Sequence, residues 1–132
     1  MNTSHPTWKA FSKYIRTRDC LLTTGDPAIG VCVTCGRVYP FGKLQAGHAI
    51  EGRGNSILFH EQLVNAQCTR CNIYLNGNYT IYRIKLIQKY GVEQWNKWEA
   101  LKFMPCKFND FQLKVIKDDY KKRTAALIKK QI

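Results

Sequence analysis

The sequence has few acidic residues and no long apolar run, and both shortages restrict the classes of protein it can belong to. Asp and Glu number 9 against 21 Lys and Arg, which gives a net charge of +12. No stretch approaches the roughly 18 apolar residues of a membrane span, and the segment MNTSHPTWKAFSKYIRTRD has no apolar signal core. We therefore predict a cytoplasmic protein with no membrane partner. The charge favours a polyanion such as nucleic acid, although a solvated basic surface would have the same composition.

Low-complexity tracts, internal repeats and long linkers are also missing, so the 132 residues predict one domain. We divide it into an N-terminal helix and loop (1–29), a turn-rich core (30–91) and a helical extension (92–132). Apolar periodicity, glycines and caps predict the elements. They are helices over 7–19, 79–91, 92–102 and from Asn109 or Asp110 to Ile132, short strands on either side of a turn at Gly36, a strand ending near His48, and an extended segment over 57–68. We predict Trp95 and Trp98 to be core residues. Helical spacing gives two helices an apolar face, formed in the first by Trp8, Phe11, Tyr14 and Ile15 and in the last by Phe111, Leu113, Val115, Ile116, Tyr120, Ala125 and Leu127.

Four of the six cysteines form two C-x-x-C units, CVTC and CTRC, separated by 32 residues. In a reducing compartment, cysteines in close pairs indicate metal more often than disulfides. Four thiolates close a tetrahedral zinc site with no open position, so we expect a structural rather than a catalytic zinc. The alternatives are thiols used in packing or two small local disulfides. The predicted zinc ligands are Cys32, Cys35, Cys68 and Cys71, whereas Cys20 and Cys106 are expected to be ordinary buried thiols.

Histidines and asparagines in and beside the segment between the two cysteine pairs are candidates for chemistry. Hydrolysis of a phosphodiester needs a base, a divalent cation and a group that holds the base. His48 can be a base at neutral pH, and the amide oxygen of Asn72 is a ligand suited to Mg²⁺ or Mn²⁺. Asn72 directly follows Cys71, so a zinc would hold it in place. Each signal is weak alone, because a histidine is often a packing residue and an asparagine is often a helix cap.

Together, the motifs CVTCG, AGHAIEGRG, QCTRCN and LNGN resemble the HNH, or ββα-metal, nucleases of treble-clef type. More closely, over roughly residues 30–91, they resemble the phage NinG family, also called Rap. The resemblance implies an α+β fold with a small zinc-stabilised treble-clef core flanked by N-terminal and C-terminal helices. It also implies a metal-dependent endonuclease that cuts branched DNA such as Holliday junctions and recombination loops, in the bacterial host cytoplasm.

Carried over by position, the resemblance makes His48 the general base and Asn72 a ligand of the catalytic divalent ion. It makes Arg53 a phosphate contact, and we add Lys43 and Arg70 as DNA-binding residues. Zinc would be structural, and Mg²⁺ or Mn²⁺ would be the catalytic cofactor.

The sequence departs from the HNH pattern at two positions. Gly47 stands where many of these enzymes have a metal-binding aspartate, so Glu51, Asn76 or water would have to complete the ligand set. Leu63 stands where the middle asparagine of the signature is usual. Asn65 lies two residues later and is the predicted replacement that orients His48, with His60 as the alternative.

The rival hypothesis is a zinc-ribbon module that binds nucleic acid without cutting it. Charge and cysteine pairs fit both functions, Gly47 and Leu63 favour binding alone, and the pairing of His48 with Asn72 favours a nuclease. Because a branched junction has approximate two-fold symmetry, the nuclease hypothesis also predicts a homodimer, through the first or the last helix.

Overall fold

Two antiparallel pairs of short strands and five helices make up the computed structural model, which describes residues 1–130. The helices are α1 (Pro6–Thr24), α2 (Asn55–Leu58), α3 (Tyr79–Tyr90), α4 (Val92–Leu101) and α5 (Asp110–Lys129). The strands are β1 (Ile29–Val31), β2 (Val38–Pro40), β3 (Leu44–His48) and β4 (Val64–Cys68). A 3-10 turn (Phe41–Lys43) precedes β3, and a π-helical turn (Arg70–Tyr74) follows β4. The mixed α+β class is therefore as predicted.

Helix α1 is longer than the predicted 7–19 because both of its ends are capped. At its start, His5 Nδ1 accepts a hydrogen bond from the Thr7 N–H, and Pro6 occupies the first turn, where its missing N–H costs nothing. At its end, Gly25 adopts a φ of 77°, and its N–H bonds to the Leu21 carbonyl. The predicted apolar face is confirmed, because its four aromatic and aliphatic residues, Trp8, Phe11, Tyr14 and Ile15, are all buried.

The two strand pairs place the cysteine motifs and His48 at defined points. Strands β1 and β2 flank the first C-x-x-C unit, with Val31 opposite Val38. Strands β3 and β4 pair so that Leu44 lies opposite Cys68 and His48 lies opposite Val64. The second cysteine motif therefore begins at one end of β3, and His48 stands at the other end. Two-stranded sheets have little stability alone, so both pairs depend on the helices that cover them.

The three later helices begin and end close to their predicted bounds. Gly91 terminates α3, as expected. Asn109 caps α5 in a capping box with Gln112, in which each side chain bonds the other residue's backbone N–H. The predicted end of this helix at Ile132 lies outside the described residues. Its predicted apolar stripe is only partly buried, since Tyr120 lies in the core while Phe111, Val115 and Ala125 are exposed.

Two clusters of buried side chains form most of the core. One joins α1 and α5 to the β3–β4 pair through Phe11, Val64 and Tyr120. The other joins α3 and α4 to the loop after β3, through Tyr82, Trp95 and Trp98. The prediction that these two tryptophans are core residues is confirmed.

The predicted extended segment 57–68 is wrong at its start, where α2 is helical. Ile57 and Leu58 are both fully buried, but they belong to different core clusters. Adjacent side chains on one strand point to opposite faces, whereas on a helix they lie about 100° apart. In a helical turn, Ile57 and Leu58 can therefore pack into two core clusters that lie side by side. Within residues 1–130, no helix has both the length and the apolar character to cross a membrane.

Candidate metal centre and adjoining cleft

The four cysteines of the two C-x-x-C units converge on one point. Their sulfur atoms all lie within 4.8 Å of one another, and Cys35 Sγ lies 3.9 Å from Cys68 Sγ. Tetrahedral Zn–S bonds of about 2.3 Å would hold two sulfurs about 3.8 Å apart, so the spacing fits zinc. The tight turn of the first unit needs Gly36, which adopts a φ of 74° and bonds its N–H to the Cys32 carbonyl. The cysteine cluster, as we name these four residues, can thus hold a metal such as zinc.

Hydrogen bonds to the sulfurs support the same conclusion. The N–H of Cys68 donates to Cys32 Sγ at 3.3 Å, and the N–H of Cys71 donates to Cys68 Sγ at 3.4 Å. Although burial raises the pKa of Cys32, hydrogen bonds from the backbone of Cys35 and Cys68 and from Thr34 lower it to about 6. Burial raises the pKa of Cys35 to about 11. These hydrogen bonds therefore favour the thiolate form of Cys32, which is the form in which a cysteine binds a metal ion.

The cysteine cluster also fixes the backbone of the π-helical turn. The Gly77 N–H bonds to the carbonyls of both Cys71 and Asn72, and Asn78 Nδ2 donates to Cys71 Sγ at 3.7 Å. Three residues just beyond this turn, Asn76, Gly77 and Asn78, have positive φ angles. Such angles are uncommon for residues other than glycine and persist where the surroundings impose them. Asn72 is thus carried on a segment that a bound metal would hold rigid.

A cleft of about 420 Å³ lies between the free edge of β3, helix α1 and the π-helical turn. Three of the predicted site residues, His48, Arg53 and Asn72, line it together. The other residues that line the cleft are Thr3, Trp8, Ser12, Arg16, Leu44, Gln45, Ala46, Ile73 and Tyr79. Residues 46 to 76 of the sequence thus bring a histidine, a guanidinium and an amide to one concave surface, beside the cysteine cluster.

His48 is buried at the end of β3, and its ring stacks on Trp8 with 5.3 Å between the centroids. Its Nε2 lies 3.1 Å from the Leu58 carbonyl oxygen, which can only accept, so Nε2 carries the hydrogen. In the neutral ring Nδ1 then has the lone pair. Burial, followed by the nearby charge of Arg53, lowers the pKa of His48 to about 4. At neutral pH the imidazole is therefore unprotonated, as a general base must be.

Arg53 presents a guanidinium with unused hydrogen-bonding capacity to the cleft. One terminal nitrogen donates to the Met1 carbonyl at 2.7 Å, and the guanidinium lies 4.5 Å from the Trp8 ring centroid. The other terminal nitrogen is buried and has no partner among the described residues. The backbone of Arg53 has a φ of 46°, a strained value for a residue with a side chain. An oxyanion in the cleft would satisfy this nitrogen.

The side chain of Asn72 is oriented by a residue that sequence reasoning missed. Asn72 Nδ2 donates to Gln45 Oε1 at 2.7 Å, which leaves Asn72 Oδ1 to accept a hydrogen bond or to bind a cation. Gln45 lies on β3, three residues before His48. A polar residue on a short strand gives no sequence signal of this role. Arg16 of α1, which adds a second positive charge to the cleft, was missed because it lies more than 30 residues before His48 in the chain.

The two departures from the HNH pattern have clear physical causes. A Cβ at Gly47 would overlap Gln67 Oε1 and would lie 3.0 Å from two further atoms of that side chain. Gln67 is fully buried and donates to Thr34 Oγ1 at 3.1 Å and to the Gly77 carbonyl at 2.9 Å. Its side chain therefore fills the space that an aspartate at position 47 would need. Leu63 is fully buried in the α3–α4 core cluster, where an asparagine would lose apolar contacts.

Asn65, the predicted replacement for the missing asparagine, does not line the cleft. Its Nδ2 donates to the Tyr82 hydroxyl at 3.1 Å, and that hydroxyl donates to the Gly47 carbonyl at 2.7 Å. Asn65 is thus linked through Tyr82 to the residue that precedes His48. The contact is indirect, and it gives Asn65 a path to position the backbone of β3 rather than the imidazole ring.

The remaining candidates lie away from the cleft. Lys43 and Arg70 are exposed on the 3-10 and π-helical turns, and neither is a lining residue. Glu51 and Asn76, the suggested extra metal ligands, are exposed and do not line the cleft either. His60 packs edge-on against Trp98, with 5.4 Å between the ring centroids. In the described part of the chain, the cleft is therefore lined by no carboxylate.

Comparison with known proteins assigns the chain to a family. The family described as "Bacteriophage Lambda NinG protein" matches residues 3–130, and the chain belongs to this family. A curated relative, "Protein ninG" of Escherichia phage lambda, is 29% identical over 93 residues, which cover 70% of this chain and 41% of the relative. The chain thus spans less than half the length of that relative. No solved structure matches the chain.

Proposed function

We propose that this protein is a divalent-metal-dependent DNA endonuclease of HNH type that cuts branched DNA, including Holliday junctions and recombination loops. The observation that carries the proposal is the cleft that His48, Arg53 and Asn72 share beside the cysteine cluster. It supplies a neutral imidazole, an unpaired guanidinium nitrogen and an oriented amide on one surface. The imidazole can act as the base, the guanidinium can bind the phosphate, and the amide oxygen can bind a divalent cation.

In the proposed reaction each residue has one role. His48 Nδ1 accepts a proton from the water that attacks phosphorus, while the Leu58 carbonyl holds Nε2. The bond from phosphorus to the leaving oxygen breaks, and that oxygen takes a proton from solvent water. Arg53 donates to a non-bridging oxygen of the scissile phosphate. Asn72 Oδ1 contributes one ligand to a hydrated Mg²⁺ or Mn²⁺, which supplies charge neutralisation when it is bound. Mg²⁺ commonly retains several waters and binds through one or two protein ligands plus substrate phosphates, which suits a cleft without carboxylates.

The charge of the whole chain supports nucleic acid as the substrate. A net charge of +12 over 132 residues gives a strong, salt-dependent attraction to phosphates. Lys43 and Arg70 are exposed on the two turns at the end of the β3–β4 pair where Leu44 lies opposite Cys68, and they can add phosphate contacts outside the cleft. Phosphate contacts carry no sequence information, so selection by DNA shape fits this set of residues better than selection by sequence.

The second candidate, a module that binds nucleic acid without cutting it, is favoured by a specific observation. Gln67 excludes a carboxylate from position 47, and within residues 1–130 no carboxylate lines the cleft. A binding module would need the cysteine cluster and the positive charge but not the neutral imidazole of His48. The two functions are therefore separated by whether loss of His48 abolishes cutting or only weakens binding.

The test is a nicking assay on a labelled four-way junction and its matched linear duplex, with Mg²⁺ or Mn²⁺. We expect the wild type to cut the junction in preference to the duplex, and His48→Ala to bind the junction without cutting it. His60→Ala is the matched control, because this histidine lies outside the cleft and should retain activity. Asn72→Ala should need more divalent ion for the same rate. Tight binding by the wild type without cutting under either ion would contradict the nuclease and support the binding module.

Two further parts of the proposal concern assembly and place of action. Because paired cuts across a junction need two active sites, we propose a homodimer formed through α5, which exposes Phe111 and Val115. We also propose that the protein acts in the cytoplasm of an infected bacterial cell, where branched DNA arises during phage growth.

A further inference from the structure

Three consecutive apolar side chains are exposed at the rim of the cleft. They are Ile73, Tyr74 and Leu75, with exposed fractions of 56%, 80% and 41%. Isolated apolar residues are ordinary on protein surfaces, but a contiguous run of this kind marks a contact site. We name these three residues the apolar tip.

The apolar tip is held rigidly, which distinguishes it from an exposed loop. Its backbone is closed by the Leu75 N–H bond to the Arg70 carbonyl at 2.8 Å and by the Asn76 N–H bond to the Ile73 carbonyl at 3.1 Å. The segment starts two residues after Cys71 of the cysteine cluster. An aromatic ring presented on a rigid frame loses little conformational entropy when it binds.

The surroundings of the apolar tip indicate what it contacts. Ile73 lines the same cleft as His48, Arg16 and Arg53. Arg70, on the same turn, is exposed. An aromatic ring flanked by cations that hold phosphates is the arrangement by which proteins stack on unpaired bases, since a base has an apolar face on an anionic backbone. A second apolar protein surface would gain nothing from these cations.

We propose that the apolar tip is a wedge whose Tyr74 ring stacks on the free face of an unstacked base at the branch point of DNA bound in the cleft. This inference rests on the proposed DNA substrate and assigns the preference for branched DNA to a particular residue. In a linear duplex every base is stacked between neighbours and paired, so the ring has no base to contact. At a branch without divalent ions, a base pair beside the crossover lacks a stacking neighbour on one side, and the ring covers the base face left free there.

The test measures binding, without added Mg²⁺ or Mn²⁺, to a four-way junction, the same junction with an abasic site at the branch, and a matched duplex at one salt concentration. Tyr74→Ala should lower junction affinity by about tenfold and leave duplex affinity within about twofold. Tyr74→Phe should retain the wild-type preference. The abasic site should weaken binding of the wild type but have little further effect on Tyr74→Ala. Phe103→Ala is the matched control, because Phe103 is 81% exposed and does not line the cleft.

Several outcomes would overturn the wedge. They are equal losses on junction and duplex, an abasic effect of the same size in both proteins, no binding by the wild type, or a change from dimer to monomer in Tyr74→Ala. The last outcome would assign the apolar tip to a second copy of the chain. Junction preference that depends on Tyr74 in a wild type that never cuts would support the wedge and refute the nuclease. Preferential cutting of the junction that does not depend on Tyr74 would support the nuclease and refute the wedge.

Discussion

Replacing Gly47 with alanine should destabilise the protein far more than a glycine-to-alanine change normally does. The new Cβ would overlap Gln67 Oε1 and would lie 3.0 Å from Gln67 Cβ and Cδ. Gln67 cannot move aside without breaking its hydrogen bonds to Thr34 and Gly77. Overpacking of this kind typically costs about 1–3 kcal/mol, and each lost buried hydrogen bond costs about 1 kcal/mol. We therefore expect the free energy of unfolding to fall by about 3 kcal/mol.

The measurement is urea unfolding followed by tryptophan fluorescence, with zinc present, on a double-mutant cycle. Gly47→Ala should cost about 1 kcal/mol in a Gln67→Ala background, because the worst overlap is then gone, which gives a coupling energy of about 2 kcal/mol. Gly42→Ala is the matched control, since a Cβ there meets no atom within 4 Å and the backbone φ is not positive. Equal effects of Gly47→Ala and Gly42→Ala, or a coupling energy near zero, would refute the argument that Gln67 closes position 47.

Three other predictions test separate parts of the structure. Removing zinc with a chelator should unfold the core and lower the melting temperature. Cys32→Ser should bind less zinc and should also have a lower melting temperature, whereas Cys106→Ser, which lies outside the cysteine cluster, should bind zinc normally. The pKa of His48 is lowered from 6.5 in the unfolded chain to about 4 in the folded protein. As the pH falls, the unfolded chain therefore takes up the proton at a higher pH than the folded protein does, so the free energy of unfolding should fall between about pH 6.5 and about pH 4. Compared with His48→Asn in unfolding experiments over the same pH range, the wild type should lose about 3 kcal/mol in free energy of unfolding. Equal pH dependence of the free energy of unfolding in the two proteins would contradict this prediction. Sedimentation equilibrium should give a dimer for the wild type and a monomer for Phe111→Lys, and a wild-type monomer on bound junction would exclude the proposed assembly.

The elements with strong local signals were predictable from the sequence. The caps at Gly91 and Asn109, the turn at Gly36 and the convergence of the two C-x-x-C units depend on a few neighbouring residues whose chemistry admits few alternatives. The long N-terminal helix and the strand ending at His48 were likewise indicated by apolar spacing. Element bounds were less accurate where capping residues such as His5 are unusual.

The parts that could not be predicted depend on contacts between distant residues. Gln67 fills the space beside Gly47, Gln45 orients the side chain of Asn72, and the side chain of Asn65 is linked to the Gly47 carbonyl through the Tyr82 hydroxyl. None of these pairs leaves a pattern in a single sequence, because each partner is acceptable in many other contexts. The same holds for α2, whose two buried residues serve different clusters. Local chemistry was therefore predictable, and the supports of the candidate site were not.

The contact between the first and last helices determines when the chain can fold during synthesis. The Thr7 hydroxyl donates to the Leu113 carbonyl, and Arg123 donates to the Tyr14 hydroxyl at 3.0 Å. The part of the α1 apolar face that packs on α5 therefore stays uncovered until α5 has left the ribosome. At about 5–20 residues per second, roughly 100 intervening residues leave that face open for about 5–20 s. During this interval the nascent chain presents Phe11 and Tyr14, which contact Tyr120 of α5 in the complete fold, to the solvent and to chaperones, so slow synthesis should increase aggregation.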